Sequence, residues 1–334
     1  MDQQKTNKKP VVVSGARPTG DIHLGNYAGA VANWIALQDD YDCHYFIADY
    51  HALTTHYQDT SELRDLTLRV AADYIACGID PDKVILFLQS SVPEHAELSL
   101  LLSMLTPVSW LERNPSYKDL VNELSKLEIR TLGFLGYPCL MAADVLMYRA
   151  NFVPVGEDQL PHLELAREIA RRFNHLYGTT FPEPAALLTK SKVLPGTDGR
   201  KMSKSYDNTI SFADAPEEVQ KKVMCMVTDP ARIHKTDPGH PEICSVFSMH
   251  KEFNVEDSEE IARLCRAGEI GCVACKRRCG AAIAKFHTPI HEKRTALLAQ
   301  PSQLIERLQE GSKVAQKKAK NMIAVAREAI KIGF

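Results

Sequence analysis

Over the first two hundred residues, short runs of β-branched and aromatic residues alternate with longer stretches of helical periodicity. Val11 to Val13, His44 to Ala48 and Val84 to Gln89 read as strands. His23 to Gln38 and Ser61 to Cys77 read as helices, and Phe152 to Val155 is a further strand before a helix that runs to about Tyr177. Strands separated by helices cannot pair as tight hairpins, so the alternation predicts α/β architecture: a doubly wound parallel sheet with helices on both faces. Sheets of this kind hold ligands at the carboxyl ends of their strands. Beyond the Gly- and Lys-rich stretch Pro195 to Tyr206 the strand signal fades. Pro216 to Met224, Ser258 to Cys265, Cys275 to Phe286 and Pro301 to Ile332 all read as helices. The expected division is a catalytic domain over 1–206 and a C-terminal helical domain over 207–334.

With 334 residues, 45% hydrophobic and 25% charged, the chain can bury two cores and is not a disordered or fibrous sequence. A net charge of −2 excludes an overall basic coat for nucleic acid. A local patch stays open, although Lys313, Lys317, Lys318 and Lys320 read first as a solvated helix face. No apolar run approaches the roughly 18 residues of a membrane span, and Met1 to Pro10 is polar with no secretory segment behind it, so a cytoplasmic protein is expected. Nine cysteines are an odd number for a disulfide framework. In a reducing compartment they are buried thiols, reactive groups or metal ligands.

Two motifs carry chemistry. The turn Ser14-Gly15-Ala16-Arg17-Pro18-Thr19-Gly20 after the first strand brings backbone close to a ligand, and the next helix offers free N–H groups to an anion. It lacks P-loop spacing. At the head of that helix stands His23-Leu24-Gly25-Asn26, where an imidazole and a small amide can hydrogen-bond phosphate while Gly25 leaves room for a purine. A lone histidine there serves equally well as a helix cap. The second motif, Lys201-Met202-Ser203-Lys204-Ser205, follows Pro195-Gly196-Thr197-Asp198-Gly199. A glycine-bearing loop with two lysines can fold over a polyphosphate and supply charge as the transition state gains negative charge. By chance this string arises in about one in ten thousand chains of this size.

Together these motifs resemble the class I aminoacyl-tRNA synthetases. Tyr137-Pro138-Cys139-Leu140-Met141-Ala142-Ala143-Asp144, then Val153-Pro154-Val155-Gly156-Glu157-Asp158-Gln159 and His162-Leu163-Glu164-Leu165, are similar to the tryptophanyl branch in particular. The resemblance covers essentially the whole chain. Asn26 stands where many class members carry a second histidine, and there too the tryptophanyl branch is similar to this sequence. The resemblance implies a Rossmann-like catalytic core with His23, Asn26, Lys201 and Lys204 in catalysis. It implies ATP contacts from Arg17, Pro18, Thr19, Gly25, Asn26, Gly156, Glu157, Asp158, Val193, Lys201, Met202, Ser203, Lys204 and Ser205. Asp144 matches the acceptor for the indole N–H; Tyr137 and Gln159 match groups that hold the substrate ammonium, and Met141 lines the pocket wall.

The chemistry of an indole agrees with that assignment, because its one polar atom is a donor that needs one oriented acceptor in an apolar wall. Without the resemblance, Asp144 reads as a helix-surface or salt-bridged carboxylate. Tyrosine activation is the nearest rival, but the phenol pocket of that branch carries Gln where Met141 stands. A non-tRNA nucleotidyltransferase with the same core and a non-catalytic binder of tRNA or tryptophan are more distant rivals. The implied reaction joins L-tryptophan to tRNA(Trp) through an adenylate, with Mg2+ on the ATP phosphates and a homodimer as the assembly. Cys265-x6-Cys272-x2-Cys275 has metal-ligand spacing, with Cys244 or Cys279 as a fourth ligand. Some bacterial tryptophanyl-tRNA synthetases carry a 4Fe-4S cluster on a similar pattern, which favours Cys244; zinc, or no metal, is the alternative.

Overall fold

The computed structural model describes residues 9–113, 131–188, 193–234 and 236–333, with the side chain of Asp158 outside the described set. Five strands, β1 (Val11–Ala16), β2 (Asp42–Ile47), β3 (Ile85–Leu88), β4 (Phe152–Val155) and β5 (Ala185–Leu188), form one parallel sheet in the order β3-β2-β1-β4-β5. β5 has no counterpart among the strands expected from sequence. Its Ala-Ala-Leu-Leu contains no β-branched residue and its pattern is only half-buried, so only its register against β4, Phe152 on Ala185 to Val155 on Leu188, reveals it.

The strand order reverses at β1, which is flanked by β2 on one side and β4 on the other. A crevice therefore opens beyond the carboxyl ends of β1 and β4. Successive side chains of β1 feed opposite faces of the sheet. Val12 joins a core with Trp34, Tyr45 and Tyr74, and Val13 joins a second with Phe46, Phe87 and Phe173.

Helices cover both faces: α1 (Leu24–Asn26), a π-helical turn (Tyr27–Val31), α2 (Ala32–Leu37), α3 (Asp49–His56), α4 (Leu63–Cys77), α5 (Glu94–Ser103), α6 (Val108–Glu112), α7 (Leu132–Met147) and α8 (Leu160–Tyr177). The single helix expected from His23 to Gln38 is thus interrupted by a π turn directly behind the His23 motif, a widening frequent at functional sites. Beyond residue 207 come α9 (Pro216–Cys225), α10 (Ser245–Phe253), α11 (Val255–Arg266), α12 (Cys272–Leu298) and α13 (Pro301–Ile330). The last of these returns to the sheet. Ala315, Ala319, Met322, Ile323 and Ala326 enter the core of Val13 and Phe87, and α13 lies so close to edge strand β3 that a Cβ on Gly311 would stand 1.9 Å from the Leu86 carbonyl oxygen. An edge strand that would otherwise present unpaired backbone is covered in this way.

Candidate active site

The turn from β1 delivers His23 to the head of α1, where it is the N-cap. Its Nδ1 accepts the Asn26 N–H at 3.2 Å, and Asn26 Oδ1 accepts the His23 N–H at 3.3 Å, a reciprocal capping box. With Nδ1 an acceptor, the neutral imidazole carries its proton on Nε2. Burial, with the Lys204 charge nearby, lowers His23 to about 4, so it is neutral at pH 7. Gly25 has no side chain to crowd that ring, 3.0 Å from its Cβ position.

The lysine loop is anchored beside this cap. Met202 is buried in the core, its N–H donating to the Leu194 carbonyl, and Pro195 and Lys201 bridge antiparallel. Asn208, 1% exposed, ties the loop together: its Oδ1 accepts the Ser203 N–H at 2.8 Å, and its Nδ2 donates to Asp198 and to the Lys201 carbonyl. Ser203 caps the short helical turn Lys204–Tyr206 through the Ser205 N–H. Lys201 points to solvent. Lys204 is exposed, yet its side chain folds over the Gly20 turn, with Cδ 3.0 Å and Nζ 3.1 Å from the Gly20 Cβ position. Shielding from water lowers its pKa, and Asp21 and Asp73 pull it back.

Asp144 of α7 is 2% exposed. Its Oδ1 accepts from Gln89 Nε2 at 2.7 Å and from His95 Nδ1 at 2.6 Å; its Oδ2 accepts from His51 Nε2 at 2.7 Å. Burial pushes this carboxyl up, but the charge of His51 and hydrogen bonds from His51 and His95 more than reverse it, holding it below the usual carboxylate value. Buried Val153 and half-buried Met141 and Val155 are the apolar side chains of this region. Half-buried Tyr137 of the same helix places its hydroxyl 3.4 Å from His162 Nε2, and its ring edge-on to His51 at 6.4 Å.

Pro18 is buried, Thr19 donates its N–H to the Arg17 carbonyl, and Arg17 is close enough to Tyr137 for the two to interact electrostatically. Gly156 and Glu157 form the turn after β4, Gln159 ends it on the surface, and Val193 is 62% exposed. The Asp158 side chain lies outside the described residues. Sequence alone did not point to His51, Gln89, His95, Tyr148 or Asn208. His51 and Gln89 follow the carboxyl ends of β2 and β3, the position where strand-end logic could have found them.

The cysteines gather at the far end of α12. Cys244 caps α10, Cys265 is on α11, and Cys272 and Cys275 open α12. After burial, the charges of Cys244, Cys265 and Cys272 raise the Cys275 thiol to about 12. Cys279 is fully buried, its Sγ against the Val246 carbonyl, and it interacts electrostatically with Cys275 and Cys244. Among the described residues no group of three or more His, Cys, Asp or Glu side chains stands at metal-holding spacing.

Residues 4–288 match the family described as tRNA synthetases class I (W and Y). The tryptophan–tRNA ligase of Thermotoga maritima is 46% identical, the match covering 97% of this chain and 99% of that protein; that of Aquifex aeolicus is 45% identical, covering 96% and 99%. The crystal structure of tryptophanyl-tRNA synthetase from Campylobacter jejuni, complexed with ADP and tryptophan, aligns with a TM-score of 0.88 at 37% identity, covering 96% of this chain and 100% of that one. A tyrosyl-tRNA synthetase from Archaeoglobus fulgidus, at 23% identity and a TM-score of 0.68, shares the fold.

Proposed function

The chain belongs to the class I tRNA synthetases of the tryptophan and tyrosine type, and we propose that its strand-end crevice binds tryptophan through Asp144 and ATP through the His23 and Lys201–Ser205 motifs. The enzyme is a tryptophan–tRNA ligase: the tryptophan carboxylate attacks the α-phosphorus of ATP, pyrophosphate leaves, and the adenylate then esterifies the 3′ end of tRNA(Trp). The observation that carries the amino-acid reading is the Asp144 carboxylate. It is an ionised acceptor with three fixed donors, and its Oδ2 has one lone pair left for an indole N–H. Tyr137 and Gln159 are assigned to the ammonium, and Met141 to the ring.

Transfer at phosphorus asks little covalent help of the protein, so positioning and charge dominate. His23 Nε2–H and Asn26 are donors at the head of α1, and Lys201 and Lys204 bring positive charge from a loop anchored by Met202 and Asn208. Arg17, Pro18, Thr19, Gly25, Gly156, Glu157, Asp158, Val193, Met202, Ser203 and Ser205 complete the nucleotide contacts in this reading. Magnesium bound to the ATP phosphates supplies charge neutralisation there.

Tryptophan-dependent ATP–pyrophosphate exchange is expected, with strong rejection of phenylalanine and tyrosine, since a ring without a matched donor leaves the remaining lone pair of Asp144 Oδ2 unfilled. Exchange as fast with tyrosine would sink the assignment. The setting for such an enzyme is the cytoplasm. A homodimer is supported by the exposed apolar residues Leu100, Met104, Val108 and Leu132 on neighbouring elements; sedimentation of the active enzyme as a monomer at micromolar concentration would refute it.

A four-iron, four-sulfur cluster in the 207–334 region is part of the same proposal. The donor chemistry suits it: the charges of Cys244 and Cys272 act on the Cys265 thiol and those of Cys244, Cys265 and Cys272 on the Cys275 thiol, and Arg232 Nη1 lies 3.7 Å from Cys265 Sγ as compensating charge. When bound, the cluster would tie α10, α11 and α12 together. Zinc on the same four thiols is the second reading, which metal and sulfide analysis separates.

A further inference from the structure

Asp144 is held by more than its own helix. His95, fully buried, packs in an aromatic enclosure of Phe46, Phe87 and Tyr148, with ring centroids 5.5 to 6.1 Å away. It has two polar neighbours in that enclosure: Asp144 Oδ1 at 2.6 Å from Nδ1, and the Tyr148 hydroxyl at 2.7 Å from Nε2. An ionised carboxylate only accepts, so Nδ1 must carry the hydrogen. In the neutral tautomer that carries this hydrogen, Nε2 has only a lone pair and the Tyr148 O–H donates to it, so that the chain runs from phenol to imidazole to carboxylate.

Gln89 and His95 together use both lone pairs of Oδ1, whereas His51 uses one of the two on Oδ2. The oxygen with spare capacity is the one on the side of His51 and Tyr137, where the amino acid is read.

We propose that the Tyr148–His95 pair is a positioning device for substrate selection, locking Oδ1 of Asp144 so that the free lone pair of Oδ2 is presented to the ring N–H of the substrate. Neither residue touches the substrate. Both act through Asp144, and the inference rests on the reading of Asp144 as the indole acceptor.

The probe is the ratio of kcat/KM in pyrophosphate exchange for tryptophan and for 3-benzothienylalanine, in which sulfur replaces the indole N–H and shape is kept. A charge-assisted hydrogen bond to the N–H makes this ratio large in the unaltered enzyme. His95→Gln puts its amide nitrogen near the Nε2 position and removes the donor from Asp144. The ratio should fall tenfold or more, through tryptophan KM, while the thienyl analogue changes by less than about threefold. His95→Asn keeps an amide N–H near the Nδ1 position and should hold the ratio within about threefold of the unaltered enzyme. Tyr148→Phe, which preserves volume and frees the imidazole to change tautomer, should lower it several-fold.

A general structural role would reduce both substrates alike. Parallel loss in His95→Gln, or the same ratio in the Asn and Gln variants, overturns the proposal; an unchanged ratio in Tyr148→Phe overturns it for the tyrosine. Should the His95 variants not fold, Tyr148→Phe decides it alone. Asp144→Asn separates the two levels of the argument. If its ratio is unaltered, the Asp144 assignment fails as well; if its ratio collapses while the His95 and Tyr148 variants keep theirs, only the positioning role fails.

Discussion

At the scale of a residue, the His23 ring is fixed by the cap that it forms. Nδ1 closes the cap of α1, which fixes the ring plane, and Nε2 is left as a donor. The same burial carries a cost in acid. The folded ring resists protonation down to about pH 4, whereas an unfolded histidine takes a proton near 6.5, so the unfolded chain binds more protons between these values. Stability should therefore rise with pH across that window, by about 3 kcal/mol over its whole width, and be lost as pH falls through it. Urea unfolding from pH 7 to pH 4 should show that much more loss in the wild type than in His23→Asn. Equal losses would mean that the ring is not buried as described.

At the scale of elements, α12 is the strut between the His23 turn and the cysteine group. Its Arg294 donates through Nε to Asp73 of α4 at 2.6 Å and through Nη2 to Asp21 at 2.6 Å, while Asp73 Oδ2 accepts the Ile22 N–H immediately before His23. Farther along the helix, His287 and His291 meet the carbonyls of Ser211 and Phe212, and Phe212 N–H donates to the Ile22 carbonyl. The His23 turn is thus held from both sides by α12 contacts. Burial raises the Asp73 carboxyl to about 6 even against the pull of Arg294. Arg294→Met should leave that carboxylate uncompensated and cost about 3–5 kcal/mol in chemical denaturation. Adding Asp73→Leu should recover much of the loss, because an apolar pair replaces an ion pair at little net cost. A double variant no more stable than Arg294→Met would contradict this account of the strut.

At the scale of the molecule, α12 begins with the thiols and α13 ends against the edge of the sheet, so the region beyond residue 207 is fastened to the catalytic core at several points. The thiol group lies at the end of α12 opposite Arg294. Anaerobically purified protein is expected to be brown and to contain iron and acid-labile sulfide, both lost in Cys244→Ser and retained in Cys279→Ser. The reason is that Cys244 acts on both the Cys265 and the Cys275 thiols, whereas the Cys279 thiol is turned onto the Val246 carbonyl. Cys272→Ser should lower stability or tRNA charging and leave pyrophosphate exchange largely intact. Zinc without sulfide would redirect the metal assignment, and loss in Cys279→Ser alone would redirect the ligand.

What the sequence determined by itself is whatever depends on near neighbours. The strand-forming runs, the His23 to Asn26 cap three residues long, the lysine loop and the Cys272-x2-Cys275 spacing are all written within one or two turns of chain, where sterics and local hydrogen bonds decide the conformation. The α/β alternation, four of the five strands and the family likeness were legible from these. Tertiary structure decided the rest. Asp144 draws its donors from positions 51, 89 and 95, which leave no periodic trace because they are set by the ends of two strands, β2 and β3, and by the start of α5. β5 forms because β4 offers it an edge, not because Ala185–Leu188 favours extension. The return of α13 depends on Gly311 meeting the Leu86 carbonyl, a contact between residues 225 positions apart whose meaning exists only once the sheet has formed.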